Sequence, residues 1–277
     1  MVIAQESREQ RQEKVLMVLR EAGMATVSDL GHRLGVAEMT IRRDLEALEA
    51  AGVLQRFHGG ARIVATSAFE PPFAFRERTN PGGKRAIAAV VAQLVEDGET
   101  VIVDGGSSGL AVAAALEGKR ITVCPLSLRV AWAFERSASV DLLLAPGVVR
   151  RGELSISGAE TIEFLRTHHF DRYILTASAL SVEDGFTEWN VEDAAVKRAS
   201  IGAARSVVAA VDATKVGRSA FVEICPLARA DLVVLDRPVD VGGMTALRAA
   251  SQRLVIAEEA GAREAADLDP TRTSRPV

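Results

Sequence analysis

Two adjacent arginines, Arg42 and Arg43, lie in a segment whose residue spacing predicts a helix. Apolar residues recur there at i, i+4 and i+7, which is typical of one buried helix face. At about 100° per residue, both arginines then point away from that face. A guanidinium group suits the major groove, because it can donate two parallel hydrogen bonds to guanine or to phosphate. The helix residues predicted to contact DNA are Met39, Thr40, Arg42 and Arg43.

A predicted β-hairpin follows this helix and carries further hydrogen-bond donors. Residues 53–57 and 61–64 are predicted as two short strands, with a glycine-containing turn at 58–60. A hairpin that follows a recognition helix is a wing, and its donors lie near the phosphate backbone. The wing residues predicted to contact DNA are Arg56, His58, Gly59 and Arg62.

The same charges also fit an ordinary solvated helix, because acidic residues alternate with the two arginines. The preceding elements favour DNA binding. A short amphipathic helix can be capped by Thr26 or Ser28 and is ended by Gly35. Two helices joined by a short turn with glycine are the helix-turn-helix signature. A first helix over residues 7–22 completes the predicted three-helix core.

A second candidate site is the glycine- and serine-rich run from Asp104 to Gly109. It follows a predicted strand at 100–103 and leads into a predicted helix at 109–116. A helix N-terminus offers N–H groups and a positive dipole end to an anion. The run is neither a Walker loop nor a dinucleotide fingerprint. It predicts a phosphate cradle, with a plain strand-to-helix turn as the alternative.

Alternating strands and helices from residue 81 onward predict an α/β domain with a mostly parallel sheet. Ligands of such sheets bind at the carboxyl ends of the strands. Lys215, in a loop after a predicted strand, is the natural partner for a phosphate, although lone loop lysines more often face solvent. The predicted ligand-binding residues are Asp104, Gly105, Gly106, Ser107, Ser108, Ser127, Gly147, Glu192, Lys197 and Lys215.

Residues 26–61 closely resemble the winged helix-turn-helix of DeoR-type bacterial transcriptional regulators. The matching pieces are residues 39–45, which read MTIRRDL, then Gly52 and the run HGGA at 58–61. Ala37 stands where the family usually has a hydroxyl residue, so a phosphate contact or a helix cap is absent there. The resemblance implies double-stranded operator DNA as a partner.

Residues 81–236 resemble the DeoR-type sensor domain, which is related in fold to ribose-5-phosphate isomerase and CoA transferases. The matching motifs are residues 84–88, 104–108, 190–198 and 212–217. The resemblance implies a phosphorylated sugar or polyol as effector. It makes Gly106, Ser107 and Ser108 the phosphate cradle, Asp104 a partner of a sugar hydroxyl and Lys215 a second phosphate contact.

Three departures from the family pattern lie near this site. Ser107 and Ser108 replace threonines and keep the hydroxyl groups, whereas Cys124-Pro125 replaces a polar pair. Residues 177–180 replace an Ala-Asp-Gly segment, which removes a carboxylate that could hold the sugar. The resemblance therefore leaves the identity of the effector open.

Composition is consistent with a folded protein that has no membrane span. Of 277 residues, 48% are apolar and the net charge is −4, so DNA binding must depend on local arginines. No apolar run reaches about 20 residues and no signal-peptide pattern begins the chain, so we expect a cytoplasmic protein. Cys124 and Cys225 lack metal-ligand spacing and are predicted to be buried thiols. No cofactor or metal is predicted.

These features predict a DNA-binding domain at 1–64, a linker at 65–80, an effector-sensing domain at 81–258 and a disordered tail at 259–277. The predicted function is a transcriptional regulator, specifically a repressor of a carbohydrate-metabolism operon, acting as a homodimer or homotetramer. One alternative is a sugar-phosphate isomerase-like enzyme fused to a DNA-binding module. Another is a second domain that only assembles oligomers.

Overall fold

The computed structural model describes residues 8–50, 53–63 and 70–257, and the chain divides into two compact units between Thr79 and Asn80. The first unit combines helices with a small antiparallel sheet. Its helices are α1 (Arg8–Ala22), α2 (Val27–Leu34), α3 (Glu38–Ala50) and α4 (Phe73–Arg78), and its strands are β1 (Met24–Thr26), β2 (Leu54–Phe57) and β3 (Gly60–Ile63).

The predicted helix-turn-helix is present as α2 and α3. Thr26 caps α2, because its hydroxyl oxygen accepts a hydrogen bond from the Asp29 N–H at 3.1 Å. Gly35 ends α2 in the left-handed conformation. The apolar faces of α1, α2 and α3 meet in one core, which includes Val15, Leu19, Leu30, Ile41 and Leu45.

The predicted wing is the hairpin of β2 and β3, which pair antiparallel with Phe57 opposite Gly60. β1 pairs with the other edge of β3 and completes a three-stranded sheet. The predicted linker contains a helix that the sequence pattern does not reveal, since α4 begins directly after Pro72. Proline is tolerated there because no helical hydrogen bond needs its missing N–H.

The second unit alternates strands and helices, as the sequence predicts. Its helices are α5 (Pro81–Leu94), α6 (Gly106–Leu116), α7 (Leu128–Trp132), α8 (Ala159–Thr167), α9 (Val191–Ala203) and α10 (Val241–Ala250). Its strands are β4 (Thr100–Val103), β5 (Ile121–Pro125), β6 (Val140–Leu142), β7 (Val148–Val149), β8 (Ile156–Ser157), β9 (Phe170–Leu175), β10 (Ala179–Ser181), β11 (Gly185–Glu188), β12 (Ala204–Val211), β13 (Val222–Cys225), β14 (Leu232–Leu235) and β15 (Leu254–Ile256).

Seven of these strands form a parallel sheet in the order β15-β14-β12-β9-β4-β5-β6, which confirms the predicted α/β architecture. Successive side chains of a strand enter different apolar clusters. Val101 and Val103 of β4 pack in the cluster that includes α5 and α6, whereas Ile102 packs in the cluster that includes α8 and α9. Both sheet faces are therefore covered, which explains the continuous apolar strands.

Two smaller sheets lie beside the main one, β10-β11-β13 and the β7-β8 hairpin. Cys124 and Cys225 are buried free thiols, as predicted, and burial raises their pKa to about 12 and about 11. Within the described residues, no helix combines the length and the apolar character needed to span a bilayer. The predicted tail at 259–277 lies outside the described residues.

Candidate functional site

The outer face of α3 presents the helix residues predicted to contact DNA. Met39 is 62% exposed, Arg42 and Arg43 are exposed, and Thr40 is half-buried. Ile41 lies in the core of the unit, so the helix is turned as the apolar spacing predicts. A helix with this exposed face can enter a major groove without disturbing the core behind it.

The arginines near this face differ in how they are held. The Arg42 guanidinium lies 3.6 Å from the Glu38 carboxylate, and that of Arg56 lies 3.2 Å from Glu46. Arg43 is exposed and has no ion-pair partner among the described residues. Exposed ion pairs contribute at most about 1 kcal/mol. DNA phosphates can therefore displace the two glutamates at small cost.

The wing places its predicted DNA contacts at an exposed turn and on the strand that leaves it. His58 and Gly59 form the turn, and Arg62 on β3 donates two hydrogen bonds to Gln55 Oε1, at 3.1 and 2.7 Å. The Gly59 carbonyl oxygen accepts a hydrogen bond from the Val27 N–H at 2.8 Å. This bond anchors the turn to the beginning of α2, so the wing and the helix-turn-helix keep one arrangement.

The predicted phosphate cradle is the beginning of α6, which starts at Gly106 rather than at Gly109 as predicted. Gly106 has φ +75°, and a Cβ on Gly109 would lie 2.0 Å from the Asp104 carbonyl oxygen, so both positions require glycine. Among the described residues, no side chain caps the first N–H groups of α6. Ser107 is buried, and Ser108 is 3% exposed with its hydroxyl oxygen lacking a hydrogen-bond partner.

Asp104, at the start of this run, belongs to a buried ion-pair network. Lys197 Nζ lies 3.0 Å from Asp104 Oδ2 and 2.5 Å from Glu188 Oε2. Asp104 also accepts hydrogen bonds from the Gly105 N–H at 2.8 Å and from the N–H and hydroxyl of Thr176, each at 2.9 Å. Asp104 therefore holds the loop in place, and its contact with a sugar hydroxyl stays a prediction.

The charges of this network persist although the groups are buried. Burial lowers the pKa of Lys197, but the carboxylates of Asp104 and Glu188 outweigh it and raise that pKa above its usual value. Burial raises the pKa of Glu188, and the Lys197 ammonium reverses the effect, so the pKa lies below its usual value. Lys197 and Glu188 are thus both ionised at neutral pH.

Glu188 is a site residue that the sequence patterns do not reveal. Its carboxylate accepts hydrogen bonds from the Ser178 hydroxyl and from the Trp189 N–H, the latter at 2.8 Å. Ser178 stands in the segment where the resemblance leads one to expect a carboxylate. Glu188, the last residue of strand β11, places a carboxylate beside Ser178. The resemblance implies that a carboxylate is lost at residues 177–180, and strand pairing places the Glu188 carboxylate beside Ser178 from ten residues farther along the chain.

Lys215 reaches the same part of the sheet from the loop after β12. Asp212 caps the short 3₁₀ turn that carries it. The Lys215 ammonium donates a hydrogen bond to the Ala177 carbonyl oxygen at 2.6 Å. Ala177 follows Thr176, whose carbonyl oxygen accepts a hydrogen bond from Lys197 at 2.9 Å. Both predicted lysines therefore converge on the segment that follows β9.

The remaining predicted ligand-binding residues divide between two places. Ser127 borders the cradle, since a Cβ on Gly105 would lie 3.3 Å from the Ser127 Cβ. Glu192 is exposed and accepts a hydrogen bond from the Ser157 hydroxyl at 3.3 Å. A Cβ on Gly147 would lie 2.6 Å from the Ser157 carbonyl oxygen. The structure thus groups Gly147 and Glu192 around Ser157 of β8.

Both units match known protein families. The family described as DeoR-like helix-turn-helix domain matches residues 11–67, and the family described as DeoR C terminal sensor domain matches residues 79–237. The chain belongs to the DeoR family. It is therefore a DNA-binding transcriptional regulator, and the isomerase-like alternative is not favoured.

Relatives named as regulators cover nearly the whole chain. The putative aga operon transcriptional repressor of Escherichia coli O157:H7 is 29% identical over 90% of this chain and 94% of its own length. The regulator GolR of Listeria innocua is 30% identical over 83% and 91%. The glycerol-3-phosphate regulon repressor of Escherichia coli K12 is 30% identical over 86% and 94%.

Among solved structures, ribose 5-phosphate isomerase A of Methanocaldococcus jannaschii aligns with 50% of this chain and 55% of its own. The sequence identity is 14% and the TM-score is 0.38. The DeoR assignment does not depend on this likeness. It rests on the two family matches and on the regulators that align along both units.

Proposed function

We propose that this DeoR-family regulator represses a carbohydrate-metabolism operon and that a phosphorylated sugar or polyol controls its operator affinity. The observation that carries the proposal is the beginning of α6, where the buried Ser108 hydroxyl has no partner. A buried polar group without a partner is rare in native proteins and needs an explanation. A bound phosphate oxygen would accept this hydrogen bond.

The chemistry of the cradle favours an anion over a neutral ligand. Uncapped N–H groups at a helix N-terminus and two serine hydroxyls are all donors to phosphate oxygens. Lys215 would supply a second phosphate contact by exchanging its hydrogen bond to the Ala177 carbonyl oxygen. Asp104 would contact a sugar hydroxyl while keeping its bonds to Thr176. Ser127, Gly147, Glu192 and Lys197 complete the proposed effector-binding set.

The name of one relative contains a phosphorylated polyol, glycerol 3-phosphate. One is named for the glycerol-3-phosphate regulon and another for the aga operon. We carry over from them only the class, a phosphorylated sugar or polyol. The departure at Ser178, where Glu188 supplies the carboxylate instead, distinguishes this site from the family pattern and is expected to change which member of that class binds.

At the other end of the chain, α3 and the wing would read operator DNA through the eight predicted contact residues. A wing that binds a half-site gains specificity when two copies bind together, which favours a homodimer or homotetramer. If the effector weakens operator binding, the operator must weaken effector binding by the same factor. We do not expect catalysis, because the carboxylates of Asp104 and Glu188 are both paired with Lys197.

The test is a thermal-shift screen of the full chain against sugar phosphates, polyol phosphates and the matching unphosphorylated compounds. A ligand at 100 times its Kd stabilises the folded state by about 2.7 kcal/mol, which raises Tm. Ser108→Ala is expected to lose this response to the phosphorylated hit. Ser206→Ala is the matched control, because its hydroxyl is also buried without a partner but lies on β12.

Phosphate binding at the beginning of α6 would be contradicted if the ligand still raised the Tm of Ser108→Ala. It would also be contradicted if only unphosphorylated compounds raised the Tm of the wild-type protein. The same ligand should also change the affinity of the protein for operator DNA. A mobility-shift titration measures this affinity with a duplex that the wild-type protein selects from a random pool. Exchange of a sugar C–H proton with deuterated water in the presence of the protein would instead support the isomerase-like alternative.

A further inference from the structure

Asp44 of helix α3 is a charged residue that is not among the eight predicted DNA contacts. It directly follows the exposed Arg42 and Arg43, yet it is only 1% exposed. Its carboxylate faces α1, where Arg11 Nε lies 2.5 Å from Oδ2 and Arg11 Nη2 donates to Oδ1 at 3.2 Å. Gln12 donates to Oδ1 at 3.4 Å, and Arg8 lies 3.6 Å away.

This contact is directional, whereas the side chains of α1 and α3 that meet in the core are apolar. Ile41, Leu45 and Leu48 pack in the core and would tolerate a small rotation of the helix about its axis, because apolar contacts have little angular preference. The two hydrogen bonds between the Arg11 guanidinium and the Asp44 carboxylate do not tolerate such a rotation, because they depend on direction. Arg43 is one residue, or about 100° of rotation, from Asp44. Any rotation allowed at Asp44 is therefore transferred to Arg43.

We propose that the Arg11–Asp44 pair is a positioning device for DNA reading, which rests on the DNA-binding function of the first unit. It sets the rotation and register of α3 against α1, so that Arg43 and Met39 meet the base edges at one angle. Neither Arg11 nor Asp44 contacts DNA in this role.

The pair is better suited to positioning than to stabilising the fold. Replacing a buried ion pair by apolar residues of similar size is often neutral or stabilising, because desolvation offsets the attraction. Fixing register is the best-attested use of such groups. Arg11 is mostly buried, at 16% exposed, so the desolvation applies to both partners.

The experiment compares the full-length double variant Arg11→Met/Asp44→Leu with the wild-type protein. The probes are a duplex selected from a random pool by the wild-type protein and poly(dI-dC) as non-specific DNA. We expect the ratio of specific to non-specific affinity to fall by about tenfold or more, a size typical of lost base contacts. Non-specific affinity and the calorimetric Tm of the first unit should change little.

Two further variants sharpen the result. Arg11→Lys keeps the charge but loses the two-point geometry, and it should lower the specificity ratio in the same direction. Arg120→Met/Asp97→Leu removes an exposed pair in the second unit, with 2.9 Å between its charged atoms, and should leave the ratio unchanged.

Each outcome bears on the proposal. A double variant that folds and keeps the wild-type ratio overturns it, and so does a double variant whose first unit no longer folds, because the pair would then serve stability. If the wild-type protein selects no duplex from the pool, the DNA-binding function itself is contradicted. This result is distinguishable from a failure of the ion-pair proposal, which only the variants test.

Discussion

In the first unit, Arg42, Arg43 and Arg62 are exposed, whereas in the second unit Lys197 is buried between the carboxylates of Asp104 and Glu188. The exposed arginines have weak partners, or none among the described residues. Lys197 has two carboxylates and a carbonyl oxygen within 3.0 Å. The two regions therefore use cations for different purposes.

The exposed arginines can take a new partner, whereas the buried lysine cannot. Moving an exposed arginine from a glutamate to a phosphate changes the free energy by little, since both partners are solvated. Removing Lys197 from its carboxylates would leave buried charges unpaired. In the second unit we therefore propose that a ligand binds at the beginning of α6, with Lys197 holding Asp104 in place beside it.

The largest effect is expected from Lys197→Met, which leaves Asp104 and Glu188 buried without a cation. Loss of one partner of a buried pair costs about 3–5 kcal/mol, and urea denaturation of the full chain would measure this as a lower midpoint for the second unit. Arg198→Met, the adjacent exposed position, is the control and should change stability by about 0.5 kcal/mol or less. Equal effects of the two variants would remove the contrast between buried and exposed cations.

Arg43→Ala is expected to weaken binding to the selected duplex by about 1–3 kcal/mol without changing the stability of the first unit. The side chain is exposed and lacks an ion-pair partner among the described residues, so only the contact with DNA is lost. A mobility-shift titration measures the affinity, and thermal unfolding measures the stability. Arg33→Ala, an exposed arginine on α2, is the matched control. Unchanged affinity in Arg43→Ala would contradict the predicted interface.

The smallest effect is a dependence on pH. The folded-state pKa of Glu188 lies below its ordinary value of 4.5, so its ion pair stabilises the protein above that pH and is lost as the pH falls through the lowered pKa. Glu188→Gln lacks this titration. The difference in unfolding free energy between wild type and Glu188→Gln should therefore shrink below about pH 4.5. A difference that stays constant from pH 7 to pH 3 would show that the ion pair is not its source.

Local patterns predicted the helix-turn-helix well. Apolar spacing identified both helices, the capping oxygen of Thr26 marked the start of α2, and Gly35 marked its end. These signals act within a few residues, so they can be read before any tertiary contact is known. The turn from β4 into a helix is also predicted by the sequence, although α6 begins at Gly106 and not at Gly109, because a left-handed glycine can open a helix as well as interrupt one.

Contacts between distant residues were not predictable in the same way. Glu188 lies ten residues from Ser178 and nine from Lys197; the pairing of β10 with β11 places Glu188 beside Ser178, and helix α9 supplies Lys197. Arg11 and Asp44 are 33 residues apart, and Asp44 in sequence looked like one more charge on a solvated face. The sequence also does not predict that Gly147 and Glu192 lie around Ser157, because these contacts likewise join residues that are distant in the chain.

The sequence by itself determined which elements form and which family they belong to, and it predicts which residues face DNA and ligand, because periodicity, caps and turn residues act over short range. The tertiary structure alone decided which charged side chains are buried in ion pairs and which are exposed. That choice depends on burial and on distances between strands and helices far apart in the chain, and electrostatic free energy changes steeply with both.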